Sequence, residues 1–141
     1  MNRVEGDRGV VTTELVIVMP VLICFLLLVI GAGRLTDARS DVVGAAGDAA
    51  RVASLQQSAG AARIQAQAAA TDTVSGENLN CKDGPQVRTE FLPRGEFERG
   101  GTVHVEVTCF VDTRDLTYIS LPLTVRVFEE AWEPIDAHRS L

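Results

Sequence analysis

The hydrophobic and polar positions of this chain fall into three successive patterns. The first is a continuous apolar run. Residues 10–33 carry no basic side chain, and Glu14 is their one ionisable group apart from the Cys24 thiol. A helix of 24 residues rises about 36 Å, enough to cross a hydrocarbon layer of about 30 Å. The run exceeds a signal-peptide core of roughly 7–15 residues, although Ala32 and Gly33 offer small residues near its end. Pro20 removes one helical hydrogen bond, which a membrane helix tolerates and which predicts a kink.

The second pattern has the period of a helix. Leu35, Ala38, Val42, Ala45, Ala46, Ala49, Val52 and Ala53 recur at spacings of three and four, forming one narrow stripe of small apolar residues. Asp37, Arg39, Asp41, Asp48 and Arg51 lie opposite, and Asp48 and Arg51 are spaced to pair. Gly44 and Gly47 lower helix propensity by about 1 kcal/mol each, so their use points to close approach by another backbone. Ser58-Ala-Gly60 reads as a break, and residues 61–70 as a second short helix rich in Ala and Gln. Residues 71–86 read as turns: Thr71-Asp-Thr, Ser75-Gly-Glu-Asn and Lys82-Asp-Gly-Pro.

The third pattern alternates. Val87, Thr89 and Phe91 form one set. Val103, Val105, Val107, Cys109 and Val111 form a second, and Leu123, Val125 and Val127 a third. Each predicts a half-buried strand. Pro93 to Gly101 is the glycine-rich connection between the first two. Their apolar face requires cover, which the second helix or the distal part of the first can supply.

Composition sharpens this outline. The 141 residues are 46% hydrophobic but only 5% aromatic, so any core is built from Ala, Val and Leu. Length allows one small domain plus an anchor. The net charge of −6 is uneven: residues 34–72 balance four Arg against four Asp, whereas residues 73–141 carry seven basic and twelve acidic groups. An acidic distal part argues against nucleic acid, which needs clustered cations, and against anionic lipid. Arg3 and Arg8 precede the apolar run and Arg34 and Arg39 follow it. This slight bias favours a cytoplasmic N-terminus, since orientation follows basic residues rather than net charge.

Glu14 is the costly residue. A charge at the centre of a membrane helix costs about 2.5–3.5 kcal/mol on insertion scales, and less near an end. One reading is a carboxylate reaching the interface. The other is a carboxylate that needs a cation within the membrane. Cleavage after Gly9 would supply one, leaving Val10 with an α-amine of pKa near ~8. In parallel helices staggered along their axes, the Glu14 of one subunit can face a neighbour's Val10 amine and neutralise both charges.

The sequence Arg8-Gly-Val-Val-Thr-Thr-Glu14, followed by five apolar residues and Pro20, resembles the TadE-like family of pseudopilins, minor components of tight-adherence (Flp-type) pilus systems. Thr12 and Thr13 depart from it, placing hydroxyls where apolar residues are commoner, and the nine-residue leader is short and of mixed charge. The alanine-rich helix, the Val strands and the ending Ala131-Trp-Glu-Pro-Ile-Asp136 extend the likeness, although only residues 8–20 are specific. The resemblance implies cutting by a membrane prepilin peptidase between Gly9 and Val10, a role for Glu14 in assembly, and other pilins or pilus-assembly subunits as partners.

The three cysteines divide by location. Cys24 lies in the apolar run. If the distal part is outside the cytoplasm, Cys81 and Cys109 can form one disulfide; the competing reading is two free thiols, with Cys109 buried on the Val face. A zinc site from Cys81, Cys109, His104 and His138 can be drawn, but His104 and Cys109 are an odd number apart in one strand and point to opposite faces. A solvated His104 beside Glu106 is the expectation, and no metal or other cofactor. The cluster Glu129, Glu130, Glu133 and Asp136 reads as a solvated edge. No nucleophile triad, phosphate loop or zinc-protease motif is present, which argues against an enzyme and a small-molecule substrate.

The sequence therefore predicts an α+β, pilin-like protein: a leader (1–9), a transmembrane helix (10–33), an amphipathic alanine-rich helical region (34–72) and an extracytoplasmic β-rich domain (73–141) with a three-stranded antiparallel sheet. Its expected function is structural, in a pilus assembly at the cell membrane. The rival is a signal-anchored extracytoplasmic binding module that is never processed.

Overall fold

The computed structural model describes residues 8–93, 95–112 and 124–138, with side chains in the first helix from residue 15 onward. Most of the leader and the predicted strand residue Leu123 lie outside the described residues. The elements run α1 (Arg8–Ser54), α2 (Ala59–Gly76), β1 (Gln86–Leu92), β2 (Thr102–Asp112) and β3 (Thr124–Pro134). The sheet is antiparallel in the order β1-β2-β3, giving the α+β class that the patterns predict.

α1 is one helix of 47 residues, with Pro20 inside it. At about 1.5 Å per residue it is about 70 Å long. Its two halves have different surroundings. Apolar side chains from Leu15 to Ile30 project outward without protein cover: Val16 is 70% and Ile17 72% exposed. A helix this long and apolar can cross a membrane by length and composition. From Ala38 onward one stripe is buried, through Val42, Ala45, Ala46, Ala49, Ala50 and Ala53. Leu35, expected in that stripe, is exposed, and Ala50 is buried where Val52 is only partly so.

The break after α1 falls at residues 55–58. Gln56 N–H donates to the Ala53 carbonyl and its side-chain amide to Val52, so two terminal carbonyls are satisfied. Ser58 then caps α2. Its backbone is extended and its hydroxyl accepts from Ala61 N–H at 3.3 Å.

α2 is longer than the sequence predicts. Residues 71–76, expected as turn, are helical, because Ala62, Ala66, Ala70 and Val74 continue one buried stripe at a spacing of four. That burial overrides the turn preference of Thr71-Asp-Thr and Ser75-Gly. Asn78 stops the helix in the left-handed region (φ 57°). Its N–H donates to the Ser75 carbonyl and that of Leu79 to Val74, the paired bonds of a Schellman ending, and Leu79 packs on the core.

The sheet presents Val103, Val105, Val107, Cys109 and Val111 of β2, all fully buried, flanked by Phe91 of β1 and Val127 of β3. α1 lies against β2 and β3, and α2 against β1. Both helices therefore share the cover. The helical side of the core is alanine apart from Val42 and Val74, which lets two helices and a sheet pack closely around few large side chains. Gly44 and Gly47 do not create this closeness: a Cβ at either would meet open space. Asp48 accepts from the Thr73 hydroxyl at 2.9 Å, joining α1 to α2 instead of pairing with Arg51.

β3 continues through Glu129 to Pro134, so the third alternating segment and the chain's ending form one strand. The β1–β2 connection is pinned by two contacts. Ile135 N–H donates to the Gly101 carbonyl at 2.8 Å, and Phe97 meets Phe91 edge-on at 5.3 Å.

Candidate functional site

Two regions concentrate the chemistry. One is the start of α1. Arg8, Gly9, Val10 and Glu14 occupy its first turns, and Pro20 lies six residues beyond Glu14 without interrupting the helix. Val10 and Glu14 are four residues apart, a spacing that shares a helix face. Their side-chain geometry, and that of Thr12 and Thr13, lies outside the described residues.

The second is the sheet. Cys81 and Cys109 are joined by a disulfide, with Cα atoms 5.2 Å apart. Cys109 belongs to the buried face of β2. Cys81 sits in the turn segment before β1 and makes an isolated bridge to Val111, beside a Lys82 N–H bond to the Phe110 carbonyl at 2.8 Å. The bond thus fastens the turn segment to the middle strand. Cys24 remains a free, exposed thiol on α1.

The outer sheet face departs most from expectation. His104 is not solvated: it is 6% exposed. Register sets Trp132 opposite it, and the rings stack with centroids 3.9 Å apart and planes 16° apart. His104 Nε2 lies 3.0 Å from Glu130 Oε2. Glu130 stands directly opposite Glu106, and the ligand atoms of His104, Glu106 and Glu130 lie within 4.8 Å of one another. Arg88 opposes Glu106 from β1, yet its guanidinium goes to Glu90 at 2.6 Å.

The acidic edge is correspondingly divided. Glu129, on the inner face, is only 18% exposed in its side chain and accepts from Arg39 of α1. Asp136 accepts from His138 N–H at 2.8 Å, His138 is exposed, and both cysteines are taken up by the disulfide. The four-ligand zinc set drawn from sequence is therefore not assembled. What the sequence missed is the His104–Glu130–Trp132 grouping. Aligning β2 with β3 by their alternation would have placed Trp132 beside His104.

Two clefts open on the surface of the described residues. One of about 390 Å³ opens between α1 and the first half of β3, lined by Leu35, Thr36, Arg39, Val125 and Phe128 among others. Its carboxylate, Glu129, is held by Arg39, and no base faces a nucleophile there. The other, of about 190 Å³, gathers Asp37, Asp41, Glu77 and Asn78 where α2 ends on α1. Burial, together with the charges of Glu77 and Asp37, raises the Asp41 carboxyl above its ordinary value.

No curated protein and no solved structure matches the chain. Residues 9–51, spanning Gly9, Glu14, the exposed apolar helix and most of the buried alanine stripe, match the family model of TadE-like protein.

Proposed function

We propose that this chain is a minor pseudopilin of a tight-adherence pilus system, made with a leader that a prepilin peptidase removes after Gly9. The observation that carries the reading is the family match over residues 9–51. It coincides with the one helix among the described residues that is both long and apolar enough to span a membrane. That family points to pilus assembly and to membrane association rather than to catalysis.

In this reading the N-terminus is cytoplasmic, residues 10–33 span the membrane and residues 73–141 lie outside the cytoplasm. The Cys81–Cys109 bond supports that placement, because disulfides persist in oxidising compartments. Removal of residues 1–9 gives Val10 a positive amine four residues from Glu14. A neighbouring subunit, displaced along the helix axis, then offers its amine to a carboxylate that would otherwise stay unpaired in a low-dielectric layer.

The test is the mature N-terminus. Mass and N-terminal sequence of the native protein should begin at Val10, and replacing Gly9 with a bulky residue should leave the precursor uncut. A chain that starts at Met1, or a Gly9 variant processed normally, refutes the pilin reading in favour of an unprocessed anchored module. Glu14→Leu should spare insertion and cleavage but impair piliation, and normal pili in that variant would remove the charge pair.

A further inference from the structure

We propose that His104, Glu106 and Glu130 form a binding site for a divalent transition metal, zinc by preference, on the outer face of the sheet. The site is independent of the pilus reading and involves none of the residues of the α1 motif.

Three features of the strands build it. His104 and Glu106 are two apart in β2, so both point to the same face. Glu130 is the register partner of Glu106 in β3 and shares that face. An imidazole nitrogen and two carboxylates are therefore convergent, a donor set that suits zinc. Ligand atoms bound about 2.0–2.2 Å from a tetrahedral zinc ion stand roughly 3.3–3.6 Å apart. The Nε2 to Oε2 separation is already 3.0 Å, and all three donor atoms fall within 4.8 Å of one another. Closing the set takes a rotamer adjustment of Glu106 and Glu130, which are half-buried and exposed respectively. The backbone need not move.

The surroundings favour a cation. Like charges directly opposite on paired strands repel, and Glu106 faces Glu130. The cation that register places beside Glu106, Arg88, is instead engaged by Glu90. His104 is the buried, oriented member: Trp132 stacks on its ring and so sets the plane in which Nε2 must coordinate. Glu130 is then both hydrogen-bond partner of the metal-free imidazole and ligand of the bound ion. The fourth coordination position faces solvent, where water completes the tetrahedron.

Trp132 is the chain's one tryptophan, which makes the site report on itself. Zinc chloride titrated into the full-length protein in detergent, in a Cys24→Ala background to remove the free thiol, should change Trp132 emission saturably with one ion per chain. EDTA should reverse the change, and nickel should compete and quench. Glu106→Gln leaves the His104–Glu130 contact and the Trp132 stack intact, so its metal-free spectrum should match the parent while its zinc affinity falls at least tenfold. Glu130→Gln should weaken binding at least as much. Absence of a saturable response up to millimolar zinc overturns the site. So does a Glu106→Gln protein that titrates like the parent, since the response would then come from elsewhere. Pilin processing is unaffected by either result, so this failure and failure of the pilus reading are distinguishable.

Discussion

Removing the disulfide should cost the folded domain about 3–4 kcal/mol. The magnitude follows from the loop it closes. Cys81 and Cys109 are 28 residues apart, and loop-closure entropy for that length is roughly 12 cal/mol/K, or about 3.6 kcal/mol at 25 °C. Other ties of the Cys81 segment to the sheet are few: the bridge to Val111, the Lys82 N–H bond and the partly buried Leu79. On the side of α2, the Gln67 side-chain amide donates to the carbonyl of buried Pro85 at 2.9 Å. Against a domain stability of roughly 5–15 kcal/mol the loss is large. Cys109 is fully buried, so a Cys81→Ala, Cys109→Ala double variant adds a transfer and cavity cost of about 1 kcal/mol. Cys81→Ser alone keeps the Cys109 side chain and isolates the entropic part. The assay is urea unfolding of the full chain in detergent, followed by Trp132 emission. Reductant should shift the parent midpoint to that of Cys81→Ser and leave the variant unmoved. A loss below about 1 kcal/mol, with mass spectrometry confirming reduction, would refute the reasoning and show that the bond does not restrict the unfolded chain as loop closure requires.

Three further outcomes test other parts of the structure. Gly101→Ala should destabilise by about 1–3 kcal/mol in the same unfolding assay, because its Cβ would lie 2.8 Å from the Leu92 carbonyl oxygen and 3.1 Å from that of Glu98, both backbone atoms. Ala49→Leu should cost a similar amount, since three more heavy atoms cannot be inserted into a fully buried interface of small residues without moving it. Asp41→Asn should raise the melting temperature at pH 7. The folded carboxyl titrates above its unfolded value, so the penalty of ionising it is present above the folded pKa and vanishes as pH falls below the ordinary range near ~3.9. Melting scans at pH 7 and pH 3.5 should show the benefit only at the higher pH; an equal benefit at both would mean the gain is not electrostatic.

Much of this architecture could be read from patterns one element long. The apolar run and the alanine stripe marked α1, and the Val alternation marked β2, because each signal is local and repeats with its element's period. The errors arose where a neighbour decided. Thr71 to Gly76 has turn chemistry, but Val74 extends the stripe that Ala62 begins, and packing on α1 keeps the segment helical. Gly44 and Gly47 looked like points of close approach, yet they face open space within the chain while the alanines beside them make the contact. His104 sits at an outward position of its strand, where isolation predicts solvent. Its burial needs Trp132, which lies 28 positions later and arrives only through the β2–β3 register. Glu129 reads as one of a charged edge until Arg39 of α1 is seen to reach it. The Gly9–Glu14 motif differs in kind: it is a spacing along one helix, with no partner strand required, and it falls within the family match over residues 9–51.

The unbroken course of α1 has a mechanical corollary. The rod that carries the exposed apolar surface is the same rod whose far half forms the floor of the sheet, helical without a break from Leu15 to Ser54. Each residue's worth of displacement along the helix axis shifts the sheet by about 1.5 Å, and each residue's worth of screw rotation swings it through about 100°.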